Sequence, residues 1–141
     1  PLCLELCGRR TPRAALEGAF SVFHWVAVAL LNGAISIRCF SDACVTDPIV
    51  MALRDRVTAT TNPQFKKDEA HVRVTLKGGR VVEQHVAHAL GSAERPMSDA
   101  DLDAKFHDLA DSVLGVPAAN KLLQACRHVE RLPDAAALHQ R

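Results

Sequence analysis

An α+β fold is what the order of periodicities predicts, with helices packed against a small antiparallel sheet of about three strands. Three observations carry this expectation. Apolar residues recur at helical spacing ahead of Gly33, "HVRVTLKGGRVVEQHVAH" alternates apolar and polar residues about a glycine turn, and helical spacing returns after Ser98. The length of 141 residues suits one compact domain, with residues 11–46 and 116–141 as helical parts and residues 47–115 as an α+β, lid-like part.

The elements follow in order. Thr11 then Pro12 is an N-cap followed by proline at the first helical position, and Leu16, Phe20, Phe23, Ala27 and Leu30 share a face. A single helix is therefore expected up to Asn32-Gly33, where glycine can take the left-handed cap conformation. Its second apolar edge, Ala19, Val22, Val26 and Ala29, asks for partners on more than one side. "CFSDACV" predicts a brief helix capped at Ser41, and Asp47-Pro48 opens another through Ile49, Ala52, Leu53 and Arg56. Residues 57–61 are mostly β-branched and closed by Asn62-Pro63, which predicts a strand.

For the hairpin, burial pattern decides the register. A three-residue turn, Lys77-Gly78-Gly79 with Gly79 left-handed, sets Leu76 opposite Arg80, Val74 opposite Val82 and Val72 opposite Gln84. A two-residue turn would set Val74 against Glu83, so the longer turn is expected. Ser98 stands three residues before Asp101 as in a capping box, and Asp99, Asp101 and Asp103 complement the dipole of the helix they begin. That helix carries Leu102, Phe106, Leu109 and Val113 on one stripe and stops at Leu114-Gly115. Pro117 opens the next, with Leu122, Cys126 and Val129 on a stripe and a stop near Leu132-Pro133, before a short last helix over residues 135–138.

Composition narrows the function classes. Seventeen Lys plus Arg against sixteen Asp plus Glu give a formal charge of +1, which leaves no field for a nucleic-acid backbone. No Tyr and one Trp offer little for stacking on bases. The run "WVAVALL" is far too short for a membrane span, and "PLCLELCGRR" places its charges opposite to a secretory signal, so a cytoplasmic protein is expected. Cys3, Cys7, Cys39, Cys44 and Cys126 form no C-x-x-C unit and read as free thiols. Cys3 and Cys7 can share a helical face, yet no histidine stands near them in the sequence to complete a metal site.

G-x-S-x-G, H-E-x-x-H and G-x-x-x-x-G-K-[ST] are all missing, which removes the common hydrolase, zinc-protease and nucleotide-loop readings. "KGGR" belongs to a hairpin turn rather than to a phosphate loop. Of the seven histidines, His85 and His88 point to opposite faces of a strand, which argues against shared ligation. His24 differs from the rest. It lies in an apolar helix beside Phe20, Phe23 and Trp25, where an imidazole needs a hydrogen-bond partner or a wet cleft.

Four segments occur in a familiar order: "GAFSVFHWVAVALLNG", "DPIVMALRDRV", "VRVTLKGGRVVEQHV" and "GSAERPMSDADLDAKFHDLADSVLG". Together they resemble the C-terminal part of the MmgE/PrpD family, which contains 2-methylcitrate dehydratase and cis-aconitate decarboxylase. The resemblance runs from Thr11 to Leu138 and is most specific in the F-S-x-x-x-x-V-A-x-A-L-L-x-G and P-M-S-x-x-D-L-x-x-K-F patterns.

That resemblance implies a piece of a two-domain lyase with its active site in a cleft between a large helical domain and a smaller α+β domain. The first and last helices here would belong to the former, and Asp47 through the Ser98 helix mostly to the latter. The family's chemistry removes a proton next to a carboxylate and expels water or carbon dioxide without a required metal or organic cofactor. His24 falls where relatives carry an aromatic or histidine residue facing the cleft, so it is the one catalytic candidate. The family's N-terminal helical portion, and a "CC-x-x-x-H" type segment before the F-S helix, have no counterpart in these residues. One histidine cannot act as base, acid and carboxylate clamp together. The expectation is thus a truncated relative of a hydro-lyase, not catalytic alone and self-associating as a dimer through an uncovered helical face. Two alternatives stand beside it. One is an active dehydratase or decarboxylase subunit completed by a helical partner chain, and the other is a module that binds a small molecule or a protein beside His24, a small carboxylate being the ligand the resemblance suggests.

Overall fold

Ser21 divides what the apolar spacing alone joins. The computed structural model describes residues 2–134, 136 and 138, so the short helix expected over residues 135–138 lies partly outside the described residues. After α1, Leu2–Cys7, the single helix expected from Pro12 to Asn32 is two helices, α2 over Ala15–Ala19 and α3 over Val22–Asn32. The Ser21 hydroxyl accepts the His24 amide at 3.1 Å and restarts the helix as an N-cap. Thr11 is not the cap of the first piece. Two carboxylates serve there instead: Glu17 takes the Arg13 amide at 2.7 Å and Asp42 takes the Ala15 amide at 2.6 Å. Gly33, at φ 75°, ends α3 as expected.

The chain forms two compact units, Pro1–Gln64 and Phe65–Arg141. In the first, a 3₁₀ turn over Ile37–Phe40 leads to α4, Asp42–Val45, and α5, Pro48–Arg54. Ser41 caps α4 and Asp47 caps α5, both as their residue types predict. The core lies between α3 and α5, where Ala27, Val28, Cys39 and Val50 are buried and Cys44 and Leu53 pack against them. The buried stripe of α3 is Phe23, His24, Ala27 and Val28, so Leu16, Phe20 and Leu30 of the expected stripe stay exposed. A one-residue change of phase at Ser21 is enough to turn that stripe away.

The second unit opens with β1, Ala70–Thr75, paired antiparallel to β2, Val81–Val86. Val74 faces Val82 and Val72 faces Gln84, the Leu76 amide reaches the Arg80 carbonyl at 2.9 Å, and Gly79 sits at φ 81°. Register and turn agree with the expectation, whereas the strand count does not. The sheet among the described residues has two strands, because residues 57–61 find no neighbouring strand and β-propensity cannot replace a ladder partner. Helix α6, Asp99–Leu114, begins with the Ser98–Asp101 capping box and ends at Gly115. Helix α7, Val116–Arg127, buries Ala119 and Leu123 rather than the expected Leu122, Cys126 and Val129 stripe. It stops five residues early, at His128, and a 3₁₀ turn over Val129–Arg131 leads to Leu132. No helix among the described residues is long and apolar enough to cross a membrane.

Candidate functional site

His24 enters α3 at the third position, fixed by the Ser21 cap, and is fully buried. Its Nε2 lies 2.8 Å from the Cys39 carbonyl. A carbonyl only accepts, so Nε2 carries the proton and Nδ1 presents a lone pair. That Nδ1 is buried without a hydrogen-bond partner among the described residues. Phe40 leans over the imidazole at 6.1 Å between ring centroids. On another side stands Gly18, where a Cβ would come within 2.6 Å of a Val45 methyl and 3.3 Å of His24 Cδ2. Glycine is required there by space, since its backbone closes over the ring and no side chain fits.

Arg54 is the second buried polar group of this region. Its NH1 donates to the Val45 carbonyl at 3.1 Å, while Nε is buried without a partner among the described residues. His24 and Arg54 thus hold the carbonyls of Cys39 and Val45, and so fix both ends of the 3₁₀–α4 segment from opposite sides in sequence. The histidine's partner was invisible in the sequence because it is a main-chain oxygen fifteen residues away. Arg54 carried no signal either, since an arginine near a helix end reads as a solvated surface charge.

An open cavity of about 340 Å³ lies beside Cys39, lined by Asn32, Ala34, Ser36, Arg38, Cys39 and Cys44. Cys39 Sγ accepts the Ser36 amide at 3.5 Å and Asn32 Nδ2 at 3.6 Å. Burial, followed by the nearby Cys39 and Asp47 groups, pushes the Cys44 thiol up from its ordinary value. Arg38 supplies the cation of this cavity and Asn32 and Ser36 its neutral polar groups, a set able to receive a small carboxylate. His24 does not line it; one residue, Cys39, separates the imidazole from the cavity.

The other candidates resolve into local pairs. Asp101 completes the helix cap, and hydrogen bonds first from the Ser98 hydroxyl and then from its amide hold the Asp101 carboxyl below the usual range. Asp99 and Asp103 converge on Arg127, which Asp99 Oδ1 meets at 2.7 Å; these bonds, Asp103 foremost, raise the guanidinium pKa further. His85 and His88 take separate carboxylates, Glu69 at 2.9 Å and Asp68 at 2.7 Å. His71 pairs with Glu83 across the hairpin at 3.5 Å, and His107 with Asp111 along α6 at 2.8 Å.

The family model described as the MmgE/PrpD C-terminal domain matches residues 1–131. This match reaches ten residues nearer the N-terminus than the resemblance from Thr11, and it stops short of Leu138. Human (Homo sapiens) cis-aconitate decarboxylase is 28% identical over 121 residues, which is 82% of this chain and 25% of that protein. The mouse (Mus musculus) cis-aconitate decarboxylase is 24% identical over 139 residues, 96% of this chain and 28% of that protein. The chain therefore spans about a quarter of the length of these curated relatives.

Proposed function

Because the chain belongs to the MmgE/PrpD family, we propose that it is a relative of a carboxylate hydro-lyase, of the 2-methylcitrate dehydratase kind, and that these residues do not catalyse alone and associate with a second copy. The observation that carries this reading is the sealed position of His24: its Nε2 is engaged by the Cys39 carbonyl and it has no wall on the cavity. Removal of a proton beside a carboxylate needs a base, an acid and a clamp arranged around one carbon. In these residues Arg38 can serve as a clamp, and His24 acts as a positioning residue behind Cys39. The described lining of that cavity holds no carboxylate or imidazole, and besides Arg38 it is amide, hydroxyl, methyl and thiol.

Self-association is supported by uncovered apolar surface. Leu16 and Ile49 are 72% and 67% exposed, with Leu30, Leu31, Ile35 and Ile37 close to half exposed in the same unit. The accessible surface is 10404 Å², whereas two separate compact bodies of half this mass would expose about 8,600 Å². Surface of that kind is normally covered by another copy or another chain.

A second reading, an active subunit completed by a helical partner chain, draws support from the cis-aconitate decarboxylases being about four times as long as the matched portion. One preparation separates the two. The purified chain is weighed in solution and assayed for dehydration of 2-methylcitrate and decarboxylation of cis-aconitate, alone and with any co-purifying helical protein. A dimer without turnover is expected. Turnover by the chain alone that disappears in His24→Ala overturns the proposal, and turnover confined to a hetero-complex establishes the second reading.

A further inference from the structure

Three ligand-bearing side chains of the second unit meet at the open end of the hairpin, outside the His24 region. Asp68 precedes β1, His88 follows β2 and Glu94 stands on the next loop, and one donor atom from each lies within 4.8 Å of the others. His88 Nδ1 is 2.7 Å from Asp68 Oδ2 and 3.9 Å from Glu94 Oε2. Ligand atoms held at about 2.0–2.2 Å around one tetrahedral cation stand roughly 3–3.5 Å apart. To reach that spacing Glu94, the most exposed of the three, has only to swing inward, and Asp68 and His88 to part slightly. The loop bearing Glu94 is already formed: the Gly91 amide reaches the Arg95 carbonyl at 2.7 Å and the Ser92 amide the Ala89 carbonyl at 3.0 Å.

The place of the three side chains in the hairpin suits a tie between its strands. The first strand pair, Ala70 with Val86, follows directly on Asp68 and Glu69, while the other end of the ladder is closed by the Gly79 turn. Within the strands Val74 and Val86 are half-buried and every other residue is exposed, and the buried apolar residues of the unit among the described residues, Ala119 and Leu123, both belong to α7. A two-stranded ribbon whose strands bury little of themselves gains from a tie at its open end. We propose that Asp68, His88 and Glu94 form a binding site for a divalent first-row transition cation that closes the open end of the β1–β2 hairpin.

One imidazole nitrogen and two carboxylate oxygens suit manganese, iron or zinc, where calcium and magnesium prefer oxygen alone and copper(I) prefers thiolates. Binding replaces the His88–Asp68 hydrogen bond. The His88 proton moves to Nε2, freeing the Nδ1 lone pair for the ion, and Asp68 turns from acceptor to ligand. Lys66 also acts on Asp68 and opposes the added positive charge.

Manganese(II) is the suitable probe, because the five cysteines compete for zinc. Free Mn²⁺ is followed by electron paramagnetic resonance as it is titrated into the full chain, and amide exchange of residues 70–86 is measured with and without the ion. A single saturable site is expected, weakened roughly tenfold or more by His88→Ala and equally by Glu94→Gln, and unchanged by His128→Ala. Hairpin amides should slow on addition of Mn²⁺ in the unaltered chain and not in either variant. Glu94→Gln alters an exposed side chain and leaves the loop's main-chain bonds, so its result does not depend on whether His88→Ala folds. Absence of saturable binding up to about 1 mM, or binding that either substitution leaves intact, overturns the proposal.

Discussion

His24 in the first unit and His88 in the second are each held through one ring nitrogen, yet the surroundings make them opposite devices. The first is sealed and donates to a main-chain carbonyl, and the second is half-buried and meets carboxylates. A buried bond between a neutral ring and a backbone oxygen gains its value from the absence of competing water. A half-wet bond between an imidazole and a carboxylate competes with water and is worth less. The difference teaches that the two units are stabilised by different physics: the first by burial and steric fit around one imidazole, the second by a surface network along the hairpin and the α6–α7 pair.

The strongest test of that contrast is His24→Ala. It leaves the Cys39 carbonyl unpaired and opens space against Phe40 and Gly18, and the combined cost is about 3 kcal/mol. Denaturant unfolding, with peptide-resolved hydrogen exchange, should place the loss in residues 15–54 and leave the hairpin unchanged. A cost below about 1 kcal/mol would mean that the ring is not the tie described. Next in size is Gly79→Ala. A side chain at φ 81° costs about 1–2 kcal/mol, and the loss should appear in residues 70–86 alone. Spread of either effect into the other unit would erase the comparison.

Salt sharpens it further. The Arg127 contacts with Asp99 and Asp103 lie at the surface, so raising ionic strength to about 1 M should speed amide exchange across α6 and α7. Residues around His24 should not respond, because no ion pair maintains the His24–Cys39 bond. Arg127→Gln should remove most of the salt response of α6 and α7 while retaining their helical content.

These expectations also mark where sequence was legible. The Ser41, Asp47 and Ser98 caps and the Gly33 and Gly115 stops depend on residues within a few positions of one another, the hairpin register is set by its local Gly79 turn and its alternation, and all are readable. Interactions that closed over longer stretches were not. Ser21 looked like one polar residue in an apolar helix, Asp42 capping a helix 27 residues earlier left no local trace, and residues 57–61 had strand-forming side chains without a partner strand. The candidate site divides in the same way. His24 was conspicuous as a polar residue on an apolar face, whereas Gly18, Arg54 and the Cys39 carbonyl became its surroundings only through folding. The Asp99 and Asp103 charges read correctly as helix-start electrostatics, but Arg127, their second purpose, was 24 to 28 residues distant.

Acid provides the finest probe of the hairpin. The hydrogen bond from His88 holds the Asp68 carboxyl below the ordinary carboxylate range, and the Lys66 amide, with His85 second, does the same for Glu69. Each group therefore binds its proton less readily folded than unfolded, so lowering the pH favours the unfolded form. Their contribution is complete above the unfolded values, about pH 4 to 4.5, and is lost as pH falls through the lower folded values. Exchange of the amides of residues 66–88 should quicken over that descent by a modest factor. Asp68→Asn should lessen the response to the part that Glu69 contributes, since an amide cannot take up a proton in this range. Retention of the full acid sensitivity in that variant would assign the effect to other carboxyls and remove the His88–Asp68 pair from the account of how the hairpin is held.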